Sequence, residues 1–134
     1  MLRRQQLSAD LLMGRRGEEE AYWHLRHHGF IMVEKNYRPE GLHGEVDLIG
    51  WDRDVLVFIE VKTRRTGRVI SPEAAVDWDK QQNLIAAARE YRRRGNLLSK
   101  PYRFDIVSIV VAGNGGESPA MELQHFRDAF RVVQ

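Results

Sequence analysis

The sequence predicts an α/β domain, a mixed β-sheet flanked by helices. Three observations carry that expectation. A helical stretch near the N-terminus is followed by three β-patterned runs with short turns, which reads as an antiparallel meander. A long helical segment then separates the third run from another β-patterned one, and such a connection implies a parallel crossover. The middle strands are apolar on successive residues, as in a sheet covered on both faces.

Each element has its own signal. Met1 to Met13 is polar with a short Leu-Leu-Met patch, lacks the apolar core and cleavage site of a signal peptide, and reads as an N-terminal tail (1–13) ahead of a single domain (14–134). A helix is predicted from about Arg15 to His28, with Gly29 as a left-handed cap. Its apolar stripe is Ala21, Tyr22 and Leu25, and Glu18 falls on that stripe by helical spacing. Phe30 to Arg38 reads as a strand, ended by the turn Pro39-Glu40-Gly41. Residues 45–50 and 55–62 form a hairpin across Arg53-Asp54. Ser71-Pro72-Glu73 has the chemistry of a helix start. That helix runs to Arg94 and Gly95, with a break expected near Asp77–Asp79 and an inward stripe of Leu84, Ala87, Ala88 and Tyr91. Arg103 to Val111 is the next strand, and Met121 to Phe126 is a short last one. Ala129 and Phe130 are expected to pack beyond it.

Composition narrows the function classes. The chain has 134 residues, 43% of them hydrophobic, enough for a real core in one domain. It has no cysteine, so disulfides and thiolate metal sites are excluded, and a cytoplasmic protein is expected. No apolar run approaches the length of a membrane span. Net charge is only +2, but 17 of the 21 basic residues are Arg, the better bidentate partner for phosphate. His24 and His28 stand one helical turn apart, yet Leu25 occupies the place where a metalloprotease needs Glu, so they read as part of a polar helix face.

The chemistry concentrates in Gly44 to Arg65, GEVDLIGWDRDVLVFIEVKTRR. Glu45, Asp47, Glu60 and Lys62 stand in strands that are otherwise apolar, where charge is costly unless it is paired or holds a metal. With the turn centred on Arg53-Asp54, Asp47 lies across from Glu60 and Glu45 across from Lys62, so all four side chains share one face. A one-residue slip would send one pair to the other side. Two adjacent carboxylates repel unless a cation lies between them. Oxygen ligands alone favour Mg²⁺ or Mn²⁺ over zinc, and Lys62 stands where it can orient a water or neutralise developing charge. A salt-bridge ladder from Glu45 to Lys62 is the competing arrangement, and it leaves Asp47 and Glu60 facing each other unpaired. Asp105, in the later strand, is a buried acid without a nameable partner.

These residues resemble a known family. GRRGEEEA (14–21), NYR (36–38), GEVDLI (44–49), VFIEVKTRR (57–65), SPEAAV (71–76), the KQ of 80–81, RFDIV (103–107) and HFRDAF (125–130) are similar to the YraN family of small bacterial proteins, placed among the restriction-endonuclease-like folds. The hairpin looks like the PD-(D/E)xK signature of that superfamily, with Val46 where the signature has proline. The resemblance implies Asp47 as the first acid, Glu60 as the second and Lys62 as the lysine, with Glu18 matching the first-helix glutamate of Holliday-junction resolvases. It implies a metal-dependent nuclease acting on DNA, with branched or structured DNA as the substrate class. Asp47 and Glu60 are then expected to bind Mg²⁺ or Mn²⁺ with Glu18 assisting, and Lys62 to position water. Gln81 or Lys80 is expected at the scissile phosphate or the lysine, and Arg64, Arg65, Arg68 and Lys80 on the nucleic-acid backbone. Related resolvases work as dimers, so a homodimer is expected too, although the chain has no obvious dimer helix. The alternative is a non-catalytic nucleic-acid-binding or accessory protein on the same fold.

Overall fold

A computed structural model describes residues 2–65, 77–112 and 120–132, with side chains from residue 12 onward. The elements are α1 (Leu2–His27), β1 (Ile31–Tyr37), β2 (Val46–Asp52), β3 (Val55–Arg65), α2 (Trp78–Arg94), β4 (Tyr102–Ala112) and β5 (Ala120–Phe130). The five strands form one sheet in the order β1-β2-β3-β4-β5. Strands β1 to β3 are the expected antiparallel meander, β3 and β4 run parallel, and β5 returns antiparallel to β4. The α/β architecture with a helical crossover is therefore the one the pattern predicts.

The helices cover opposite faces of this sheet. On one side, Ala21 and Leu25 of α1 pack with Leu48, Val57, Ile59, Val107 and Ile109. On the other, Leu84, Ala87 and Ala88 of α2 pack with Ile49, Leu56, Phe58, Phe104 and Ile106. Alternate residues of β3 thus feed alternate cores, which is why its sequence is apolar without a break until Glu60.

Helix α1 ends as its sequence indicates. Gly29 takes φ +93°, its N–H donates to the Arg26 carbonyl, and the Phe30 N–H donates to that of Leu25. This pair of bonds is a Schellman closure, with Phe30 and Leu25 packing in one core. The start of α1 differs from expectation. It begins at Leu2, so residues 2–13, read as a tail, continue the helix. Leu, Arg, Gln, Ala and Met dominate that stretch, and no Gly or Pro interrupts it before Gly14.

One other boundary is corrected, at the end of β5, and one is left untested. The start expected at Ser71-Pro72-Glu73 lies outside the described residues. Helix α2 as described begins at Trp78, with the Asp77 side chain accepting from the Lys80 N–H at 2.9 Å as its cap. Strand β5 continues past Phe126 to Phe130. The ring of Phe130 stacks on Phe104 with centroids 4.8 Å apart, and the segment reaches it through a shifted register against β4 and a left-handed Asp128.

Candidate active site

The hairpin register sets the site. Asp52 pairs with Val55 and Leu48 with Ile59, so the turn is the two residues Arg53-Asp54, with Arg53 at φ +58°. The same register carried one step further sets Asp47 beside Glu60. There the regular ladder stops, and the Asp47 carboxylate itself takes over: its Oδ2 accepts from the Val61 backbone N–H at 2.8 Å. The side chain thus wedges between two parting strands and replaces a backbone acceptor.

Glu60 is only 3% exposed. It continues the side of β3 that carries Leu56 and Phe58, and so faces α2. From that helix, Lys80 reaches across, its Nζ 2.7 Å from Glu60 Oε1; Lys62 Nζ lies 3.5 Å from the same oxygen. One buried carboxylate is therefore shared by two ammonium groups, while Asp47 stands next to it without a cation of its own in these ion pairs.

The electrostatics follow from that inequality. Burial pushes the Asp47 carboxyl up, the neighbouring Glu60 pushes it further, and the Val61 N–H offsets only part of this, leaving its pKa at about 8. Burial and the adjacent Lys80 lower Lys62 below the usual lysine range, with Glu60 working the other way. For Lys80, burial opposes the charge, but its bonds to Glu60 and Lys62 and the charge of Glu60 win and raise it. The two lysines are thus driven in opposite directions.

Glu18 joins from α1. Its carboxyl is raised by burial and by the charges of Glu45 and Glu60, and lowered by a hydrogen bond from Asn36 and by Arg15. Gly17 makes this reach possible, because a Cβ there would overlap the Thr63 hydroxyl of β3. Gly44 does the same opposite: a Cβ would run into the Asn83 backbone carbonyl of α2. Both glycines let a helix close on the sheet at the end where the acids lie. The result is a cleft of about 400 Å³ lined by His43, Gly44, Glu45, Asp47, Glu60, Asp77, Asp79, Lys80, Asn83 and Leu84.

Not every expectation survives. Glu45 does not pair with Lys62; its Oε2 accepts from Arg38 Nη2 at 3.0 Å, because the hairpin has splayed before that level is reached. Lys80, expected on the nucleic-acid backbone or at the lysine, does lie beside Lys62, and its ammonium pairs with Glu60. Gln81 is half-buried one residue along α2 and is not among the cleft lining. Arg64 and Arg65 leave β3 just beyond Lys62, with Arg65 Nε 3.4 Å from Met13 Sδ; Arg68 lies outside the described residues. Sequence reasoning passed over Asp77, Asp79 and Asn83, although their spacing around Lys80 puts all four on the first turns of one helix. Among the described residues, no three His, Cys, Asp or Glu side chains converge as a ready-made metal cage, and none of the helices is long and apolar enough to cross a membrane.

Asp105 does have partners. It accepts from Arg103 Nε at 2.9 Å, Arg103 Nη2 at 3.1 Å, His125 Nε2 at 2.8 Å and the Asp128 N–H at 2.9 Å. Burial would raise its pKa, but these bonds outweigh burial and lower it. Arg103 also reaches Asp52 at 2.9 Å, and His24 stacks on His28 while facing His125. This second centre braces the β2–β3 turn against β4 and β5.

Residues 17–109 match the uncharacterised protein family UPF0102. A UPF0102 protein of Koribacter versatilis is 42% identical over 120 residues, covering 90% of this chain and 80% of its own. One from Solibacter usitatus is 46% identical over 98 residues, covering 73% and 74%. One from Rhodococcus jostii is 38% identical over 124 residues, covering 92% of this chain and all of its own.

Proposed function

The chain belongs to the uncharacterised protein family UPF0102, the small bacterial family towards which its YraN-like motifs point, and from its site we propose that it is a divalent-metal-dependent nuclease of the PD-(D/E)xK kind acting on DNA. The observation that carries this reading is the neighbouring pair of half-buried Asp47 and buried Glu60, which line one cleft, with Lys62 two residues beyond Glu60 on the same strand. A carboxyl held up to about 8 beside another carboxylate is a group short of a cation, and perturbation of this sort gathers at functional sites.

The residues fit Mg²⁺ or Mn²⁺. Such ions are held by one or two carboxylates and keep water or substrate oxygens elsewhere, so Asp47 and Glu60 suffice, with Glu18 in support. When bound, the ion supplies Lewis acidity toward water and toward a phosphodiester oxygen. The chain's own residues do the rest. Lys62, driven toward its neutral form by burial and by Lys80, is placed to orient a water and take its proton at Nζ. Lys80 keeps its charge and faces the cleft, where it meets an incoming phosphate. Arg64 and Arg65 continue from the catalytic strand and hold the nucleic-acid backbone. Trp78, 70% exposed between two cleft-lining acids, offers a face on which a base can stack. Branched or structured DNA is the substrate class we favour.

The test is a Mg²⁺/Mn²⁺ cleavage panel of four-way junctions, flaps, duplexes and single strands. Wild type should cleave at least one of them. Asp47→Ala and Lys62→Ala should lose cleavage and keep binding. Equal residual cleavage by wild type and Asp47→Ala would sink the enzyme reading. The pairing of Glu60 with Lys80 favours one second reading, a non-catalytic accessory protein whose acids serve stability or docking; binding without divalent-dependent cleavage on every substrate would establish it.

A further inference from the structure

The motif Asn36-Tyr37-Arg38 ends an edge strand and runs one residue past it, yet it reaches the acids around the carboxylate centre. Asn36 is the second-last residue of β1 and takes φ +51°, the left-handed region that Gly, Asn and Asp enter most easily. With Nδ2 directed at the acids, Asn36 donates to Glu18 Oε2 and to Glu45 Oε1, each at 3.2 Å. The opposite amide orientation would aim an oxygen at two carboxylates, so the hydrogen-bond network selects this one.

A chain of contacts results. Arg38 holds Glu45, Glu45 and Glu18 share the Asn36 amide, and Glu18 lies within electrostatic reach of Glu60. One uncharged double donor thus sits between two acids from separate elements. Without it, Glu18 would face the repulsion of Glu45 and Glu60 with Arg15 opposing, and an exposed rotamer would relieve it.

We propose that Asn36 is a positioning residue, holding the Glu18 carboxylate toward the cation centre formed by Asp47 and Glu60, on which Glu18 acts through water and charge rather than as a third direct ligand. This rests on the nuclease reading for the existence of that centre. It assigns a function to the Asn-Tyr-Arg motif, which the chemistry of the hairpin leaves unexplained. A purely conformational role for Asn36 predicts a different outcome, because glycine supports the same backbone.

The test is Mn²⁺ binding to the full chain by isothermal titration, without substrate, for wild type, Asn36→Gly, Glu18→Gln, the double variant and Asp47→Asn. Thermal melting checks that each variant is folded. Asn36→Gly should weaken Mn²⁺ about tenfold, as loss of a supporting hydrogen bond to a metal site does. Glu18→Gln should weaken it at least as much. The double variant should be no weaker than Glu18→Gln, since both changes act through one carboxylate. Wild-type affinity in Asn36→Gly or in Glu18→Gln, or additive losses in the double variant, would overturn the assignment. Asn36→Asp is the second variant if the glycine variant melts too early: it keeps the backbone and the volume, has no donor, and should also bind more weakly, so unchanged or tighter binding counts against the proposal. Asp47→Asn separates the two levels. If it binds Mn²⁺ like wild type, the cation centre and the nuclease reading both fall. If it abolishes binding while Asn36→Gly does not weaken it, only the role of Asn36 is lost.

Discussion

Replacing Asp47 by Asn should make the metal-free protein more stable at alkaline pH. The unfolded chain releases the Asp47 proton near 3.8 and the folded chain near 8. Between those values the folded state holds a proton that the unfolded state has lost, so stability falls as pH rises through the window. Four pH units at about 1.4 kcal/mol each set a ceiling of ~6 kcal/mol. Glu60 carries part of that repulsion and Lys80 relieves part of it, so about half, ~3 kcal/mol, is a reasonable share for Asp47. Asparagine keeps an oxygen for the Val61 N–H and removes the charge. The assay is thermal unfolding in EDTA at pH 5.5, 7 and 8.5. The variant should melt about 10 °C above wild type at pH 8.5, by the usual conversion for a chain of this size, and the gap should narrow toward pH 5.5. Mn²⁺ should raise the wild type and leave the variant nearly unmoved. A variant that melts below wild type at pH 8.5, or a gap independent of pH, would refute the argument that Asp47 is a half-buried acid under strain from Glu60.

Three further outcomes are expected. Lys80→Met leaves Glu60 with only the 3.5 Å contact to Lys62, so the apo protein should lose about 3 kcal/mol and Mn²⁺ should restore part of it; unchanged melting in EDTA would show that the 2.7 Å pair contributes nothing. Gly17→Ala pushes α1 off Thr63 and should cost about 1–3 kcal/mol, with Thr63→Ala recovering most of that in the double variant by chemical denaturation. Asp105→Asn removes the buried charge shared by Arg103 and His125 but leaves Arg103 its pair with Asp52, and should cost about 2–3 kcal/mol at neutral pH. Since the Asp105 pKa is lowered in the fold, that stability is present above the unfolded value and is lost as pH falls through the folded one, so variant and wild type should converge in acid while Mn²⁺ affinity stays unchanged.

The hairpin was legible because strand arithmetic needs only a turn position. Once Arg53-Asp54 is the turn, Asp47 meets Glu60 whatever the rest of the chain does. Glu45 escaped the same arithmetic because the strands part at Asp47, and periodicity carries no sign of splaying. Lys80 was visible as a residue near an apolar stripe, but its seat on Glu60 depends on how far the crossover helix lies from β3, a tertiary distance. The full length of β5 was hidden for a related reason. Its last residues are mixed in polarity and held by Phe104 and Asp105, both on another strand. Gly17 and Gly44 stand within sequence motifs that give them no role, since a close approach shows only when the partner atoms are known.

The parallel pairing of β3 with β4 also orders events in time. Asp47 and Glu60 are joined by a two-residue turn, so the hairpin that brings them together closes cheaply. Lys80 arrives only when the long connection carrying α2 folds back and β4 docks, a slower kind of closure. Were the hairpin to close before that docking, two acids would stand adjacent while their ammonium partner was absent. Divalent cations present during that stage would meet the pair before the lysine does, and folding begun in metal would then follow a different approach to the same sheet.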